Sequence, residues 1–189
     1  MRTTLLLLLV LAACGKSKPS GDQASSSDEP KRVSNKALIA APLSTVTSKA
    51  GTIEFTIDLP VSLLKPAELS GVNATFNPKD EWLDTPSFTV MFNEFPMSPD
   101  DVGEKQIISD GGEEAANRVI ARAEKLPDGG YINVDQRKDE KYLRLEVCRP
   151  QSGGKLCCSL QQRADKPIEA FKDMLQLGEK ACRSMKAKS

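Results

Sequence analysis

Five cysteines and one cluster of carboxylates are the residues whose types and spacing can do chemistry in this chain of 189 residues. Cys148, Cys157, Cys158 and Cys182 crowd the C-terminal quarter and Cys14 stands alone near the start. Asp80, Glu81 and Asp84 surround Trp82, the only tryptophan, in a segment opened by Asn77-Pro78. Thiols offer disulfides, a thiolate metal site or a redox pair. An acid cluster beside an indole offers a sugar platform with general acid and base, or simply a polar loop whose Trp82 caps the edge of the core. The chain has no histidine, which excludes Ser-His-Asp and Cys-His catalysis and His-ligated zinc or haem. Lys and Arg total 26 and so do Asp and Glu; a zero balance removes the electrostatic case for nucleic acid. No nucleophile elbow, phosphate loop or dinucleotide fingerprint occurs. Asp110-Gly-Gly112 and Asp128-Gly-Gly130 lack the strand–helix context of a phosphate or calcium loop and read as turns. Accordingly no catalytic residue, metal or cofactor is assigned.

These residues must be placed by strands and helices. Thr52 to Leu59 alternates, with Ile53, Phe55, Ile57 and Leu59 on one face, and ends at Pro60; this is a half-buried strand. Val72, Ala74 and Phe76, then Phe88, Val90 and Phe92, repeat the period. Ser98-Pro99-Asp100-Asp101 combines a cap, a first-turn proline and acids, which predicts a helix start, with Gly111-Gly112 as its stop. Residues 113–126 are rich in helix formers, but Pro127–Gly130 is a hairpin turn into Tyr131-Ile-Asn-Val-Asp. The turn demands a strand before it, so the expectation is a short helical piece near 113–116 and a strand over about 118–126. Tyr142–Cys148 and Lys155–Gln161 alternate around a turn at Gln151–Gly154. Ile168, Phe171, Leu175, Gly178, Cys182 and Met185 form one stripe of a terminal helix. Strands followed by a helix predict an α+β fold: an antiparallel sheet packed by a C-terminal helix and one further helix.

The N-terminus carries an address. One Arg, the apolar run Leu5–Leu11 and the small pair Ala12-Ala13 describe a secretory signal peptide, far short of the ~20 apolar residues of a membrane span. Leu11-Ala12-Ala13-Cys14-Gly15 resembles the lipobox of bacterial lipoproteins. The resemblance implies cleavage before Cys14 and acylation of that cysteine. At ~0.8 kcal/mol per buried CH₂, two or three acyl chains suffice to hold a protein on a bilayer. Gly15 in place of Asp after the cysteine implies the outer rather than the inner membrane. Gly15 to Lys36 holds six serines with Val33 as the one large apolar side chain, too little to offset its ordering entropy. Such a coil spans roughly 25 Å. Ala37 to Thr47 is mildly apolar and reads as a lead-in. The organisation expected is a signal peptide over 1–13, the acylated cysteine and tether over 14–45, and one globular domain over 46–189.

With Cys14 given to lipid, four cysteines remain for an oxidising compartment and allow three pairings. Centring the hairpin turn on Gln151–Gly154 sets Cys148 opposite Cys157 and Val147 opposite Cys158. This register keeps Leu143, Leu145, Val147, Cys158 and Leu160 on one face, and a slip of one residue scatters them. Packing the terminal stripe on that face brings Cys182 to Cys158. The expected bridges are Cys158–Cys182 as a staple in the core and Cys148–Cys157 across the outer face. A redox Cys-x-x-Cys at a helix start is missing, and adjacent Cys157 and Cys158 point to opposite faces, which disfavours a shared metal.

From about Thr52 to Lys186 the domain is loosely similar to the Mog1/PsbP-like group, through the short alternating strand with Phe55 and its closing Pro60. Leu63-Leu64 stand where that group often has an aromatic. The resemblance implies a non-enzymatic binding or assembly module. The reading is therefore a membrane-anchored envelope lipoprotein that meets the bilayer through Cys14 and binds an envelope protein or small ligand through its domain. The alternatives are a carboxylate-dependent hydrolase at Asp80, Glu81 and Asp84, with Trp82 against the ligand, and a thiol-redox protein.

Overall fold

Alternating apolar residues give a strand one dry face, and each dry face needs a partner to cover it. The computed structural model describes residues 33–80, 86–98, 118–137, 142–164 and 166–188, and there the strands assemble into two antiparallel sheets around one C-terminal helix. The smaller sheet has the order β1-β2-β10, formed by β1 (Ser44–Ala50), β2 (Ile53–Leu59) and β10 (Lys186–Ala187). Phe55, Ile57 and Leu59 of β2 are fully buried. Phe55 thus belongs to this small sheet, and Pro60 directly follows its strand. The chain end is stitched to it, with Ala187 opposite Phe55 and the Lys188 N–H donating to the Glu54 carbonyl at 2.8 Å.

The larger sheet holds β3 (Glu68–Ser70), β4 (Asn73–Phe76), β5 (Ser87–Asn93), β6 (Arg118–Lys125), β7 (Tyr131–Arg137), β8 (Tyr142–Gln151) and β9 (Gly154–Arg163). Its order is β3-β4-β5-β9-β8-β7-β6, so the hairpin partner β9 lies between β8 and β5. Ala74, Phe76, Phe88, Val90, Phe92, Leu143, Leu145, Val147, Cys158 and Leu160 line the core face. β6 confirms the strand expected ahead of Pro127: pairing with β7 from Lys125↔Tyr131 to Arg118↔Arg137 outweighs the helix propensity of its Ala, Arg, Glu and Lys. Val72 falls outside β4, in its preceding turn, and is 43% exposed. Past Ser98, the helix expected from Ser98 to Gly111-Gly112 lies outside the described residues, as does the helical piece near 113–116.

Two helices are described. α1 (Asn35–Ala40) is capped by Ser34, whose Oγ accepts from the Ala37 N–H at 3.2 Å, and it buries Leu38. With β1 starting at Ser44, this moves the folded unit ahead of residue 46, the start expected from composition. One buried leucine and one capping serine are too small a signal for periodicity to register. α2 (Lys172–Ser184) follows a 3₁₀ turn over Ile168–Phe171. Its buried face is Met174, Leu177, Gly178, Ala181 and Cys182, followed by Met185, whereas Ile168, Phe171 and Leu175 are only half-buried. The expected stripe is therefore rotated in its first half. Three residues per turn in the 3₁₀ segment break the phase, and a close approach at Gly178 centres the contact: a Cβ there would meet Leu160 Cδ2 at 2.8 Å.

The C-terminal end of α2 is tied to both sheets. The Asp58 N–H of β2 donates to Ser184 Oγ at 2.7 Å, and that hydroxyl donates to the Ala181 carbonyl at 2.6 Å. From β8, Arg149 donates to the carbonyls of Arg183 at 2.9 Å and Met185 at 3.3 Å, satisfying orphan carbonyls where the dipole favours a cation. Among the described residues no helix is long and apolar enough to cross a membrane.

Candidate functional site

The β8–β9 hairpin runs in the expected register, with Cys148 opposite Cys157, Val147 opposite Cys158 and Leu145 opposite Leu160. Alternation then sends Cys157 outward and Cys158 into the core. Two disulfides form, Cys148–Cys157 with Cα atoms 4.1 Å apart and Cys158–Cys182 with Cα atoms 5.3 Å apart. Both pairings match the sequence expectation. The core staple joins β9 to the buried face of α2, with Cys158 and Cys182 fully buried. The outer bridge is covered by Tyr131 and Met97. Donor atoms of Glu146, Cys148 and Cys157 lie within 4.8 Å of one another. Both sulfurs there are bonded to each other, however, and a disulfide is not the thiolate that binds metal.

The face of the large sheet turned away from α2 is polar yet mostly closed to water. Asn133, Asp135, Glu146, Lys155 and Ser159 are all buried. Arg144 Nε donates to Asp135 Oδ1 at 3.1 Å, and the Tyr131 hydroxyl donates to Glu146 Oε2 at 3.2 Å. Burial works against the charge on Arg144, but the Glu146 and Asp135 carboxylates outweigh it and raise its pKa. Sequence reading does not find this face, because polar residues in the alternate phase of a strand normally mark solvent.

An open cleft lies on the other side, between α2 and strands β6 to β8. It encloses about 460 Å³, inside the roughly 300–1,000 Å³ typical of ligand sites. Val134 and Leu145 floor it, with Ala121, Ile168 and Leu175 along its walls. Ala121 is the extra residue of a β-bulge between Ile120 and Arg122, which bends the edge strand. The rim is charged. Arg122 forks onto Glu124, with Nε–Oε1 and Nη2–Oε2 both 2.8 Å, and its Nη1 donates to Glu179 Oε2 at 2.6 Å. Arg183 Nε completes the network on Glu179 Oε1 at 2.8 Å. Hydrogen bonds from Arg122 first, and from Arg183 next, hold the Glu179 carboxyl below its usual pKa, and Arg122 lowers that of Glu124. The same bonds, Glu124 first and Glu179 second, raise the pKa of Arg122.

A pH dependence follows from these directions. A carboxyl whose folded pKa is depressed contributes stability above its unfolded pKa, about 4.3 for Glu, and loses it as pH falls through the folded value. Urea midpoints are expected to fall from pH 5 toward pH 2.5, and Glu179→Gln is expected to flatten that slope while lowering the midpoint at pH 7. An unchanged slope in the variant would remove Glu179 from the linkage.

Of the residues expected to form a site, Asp80 is half-buried just beyond Pro78, which bridges back to Leu64. Glu81, Trp82 and Asp84 lie outside the described residues, as does Cys14. Of the acid cluster, only Asp80 is therefore among the described residues. Sequence does not single out the cleft residues Arg122 and Glu179 or their partners Glu124 and Arg183. Same-face pairs were there to find, Arg122 with Glu124 two apart on a strand and Glu179 with Arg183 four apart on a helix. Nothing local joins the two pairs, since Arg122 and Glu179 are 57 residues apart. Compared with protein-family models and with curated proteins, the chain matches none.

Proposed function

We propose that this chain is a bacterial envelope lipoprotein, anchored in the outer membrane through acylated Cys14, whose domain binds a partner and does not catalyse a reaction. The observation that carries the anchor is the run Leu5–Leu11 followed by Ala12-Ala13-Cys14-Gly15 and the serine-rich stretch after it. The two disulfides support an oxidising destination. The cleft supports binding: its floor is apolar, and its rim carboxylate Glu179 is committed to Arg122 and Arg183 instead of being poised for proton transfer. The loose similarity of the sequence to the Mog1/PsbP-like group also implies a binding module, although a fold does not by itself assign a function.

The test is metabolic labelling of the full-length chain in a Gram-negative host with an alkyne-bearing fatty acid. The expected result is label on the wild type and none on Cys14→Ser, which leaves the membrane pellet for the soluble fraction. Equal labelling of the two, or a wild type recovered from cytosol with an uncut leader, would overturn the anchor. In-cell crosslinking of the anchored protein then identifies the partner; an anchored domain that crosslinks to nothing while hydrolysing envelope glycans would overturn the binding role.

A further inference from the structure

We propose that the outer edge of β6 and the cleft behind it form a docking site for an extended polypeptide, which adds as a strand to β6 and seats an apolar side chain in the cleft. This deepens the reading of the domain as a binding module and rests on it. Three observations choose the occupant.

The first is the edge. β6 ends the seven-strand order, and among the described residues its backbone pairs with β7 alone. Unpaired backbone donors and acceptors are what an added strand uses. The second is the position of the cleft. Ala121 and Arg122 of β6 line it together with Val134 and Leu145 of the next two strands, so a strand laid along β6 would project every second side chain toward this apolar floor. The third is the charge of the rim. Arg122 is already held by Glu124 and Glu179. That leaves Glu169 and Lys172, both exposed and one of each sign. A fatty acid or phospholipid would bring an anionic head against Glu169 as well as Lys172, whereas a polypeptide can supply both signs around an apolar anchor. The bulge at Ala121 and the charges along β6 guard it against indiscriminate pairing, so the partner must match them.

The experiment uses the full chain and fluorescein-labelled heptapeptides in which a central Leu, Phe or Met is flanked by Thr, Lys and Glu, with anisotropy as readout. At least one peptide is expected to bind. Replacing its central residue by Ser, or N-methylating alternate backbone amides, should each weaken binding about tenfold or more. Amide chemical shifts should move in β6 and the first half of α2. Leu175→Arg and Ala121→Trp, which fill the cleft from two sides at half-buried or exposed positions, should abolish binding while both disulfides and cooperative unfolding persist. The inference is overturned by any of three results: no peptide binding better than on the order of 1 mM, N-methylated peptides binding as well as the parent, or shifts that map elsewhere. Displacement of bound peptide by one equivalent of palmitate would also overturn it and assign the cleft to lipid. These failures differ from failure of the broader reading, which turns on Cys14 labelling and partner crosslinking; a partner captured through another face sinks the β6 site alone.

Discussion

Replacing Cys158 and Cys182 together by alanine is expected to lower unfolding stability by ~3.5 kcal/mol, the estimate for opening a loop of that length. The bridge spans a sequence separation of 24, from the centre of β9 to α2, and cross-links the large sheet to the helix. Without it the unfolded chain regains the freedom to separate those elements, and packing against Leu160 and Gly178 must hold α2 unaided. For a domain of this size that corresponds to a fall of roughly 7–14 °C in Tm. The control is Cys148→Ala with Cys157→Ala, which opens a separation of only 9 and is expected to cost ~2.7 kcal/mol. Denaturant unfolding of the two variants checks both values. The ranking is the sharper claim. A greater loss from the outer bridge would mean that chain entropy is not what the staple restrains.

Gly154→Ala is expected to cost ~3 kcal/mol or more, and Gly153→Ala only ~1 kcal/mol, though they are neighbours in one turn. The turn is the two-residue loop Ser152-Gly153 between the paired ends Gln151 and Gly154. Gly153 holds φ at +79° with nothing within 4 Å of an added Cβ, so an alanine there meets only the left-handed backbone penalty. Gly154 has the opposite problem. Its added Cβ would fall on the Asn93 carbonyl oxygen and come within 2.9 Å of Glu94 Cα. Those atoms are backbone and cannot rotate away, so the end of β5 or the end of β9 must shift. Movement there loosens Asn93↔Lys155, the last pair joining β5 to the hairpin. Equal costs for the two substitutions, measured by urea unfolding, would show that the close approach relaxes without penalty.

Much of this architecture is legible in the residue order because its causes are local. Period-two alternation and a two-residue glycine turn are properties of adjacent residues, so the register of β8 and β9 can be read directly. The register sends Cys157 and Cys158 to opposite faces, and with a single apolar helix downstream the pairing of all four cysteines follows. The strand at 118–125 is legible for the same reason: a tight turn before β7 imposes a strand whatever the helix propensity of its residues. The apolar run Leu5–Leu11, the small residues before Cys14 and the apolar-poor stretch after it are likewise compositional, and the proposed address rests on them without reference to any fold.

Other features were settled only by packing. β1, Ser-Thr-Val-Thr-Ser-Lys-Ala, lacks a strong alternating apolar face and is a strand because β2 offers it an edge. β10 is two residues long and exists because α2 delivers the chain end to the other edge of β2. The first half of the helix face departs from its expected phase because a 3₁₀ turn leads into α2, while Gly178 keeps its expected place against Leu160, a contact between segments with no local relation. The polar residues buried on the far face of the large sheet satisfy strand alternation just as solvent-facing ones would, so periodicity cannot distinguish them. The cleft depends on all of these together: a bulge at Ala121, the resting angle of α2, and an Arg122–Glu179 pair brought together from distant segments. Turn chemistry and alternation add up along the chain and so determine which segments are strands and which cysteines meet. The depth of a groove and the sign of its rim arise from how those segments rest on one another, and only the tertiary structure decides that.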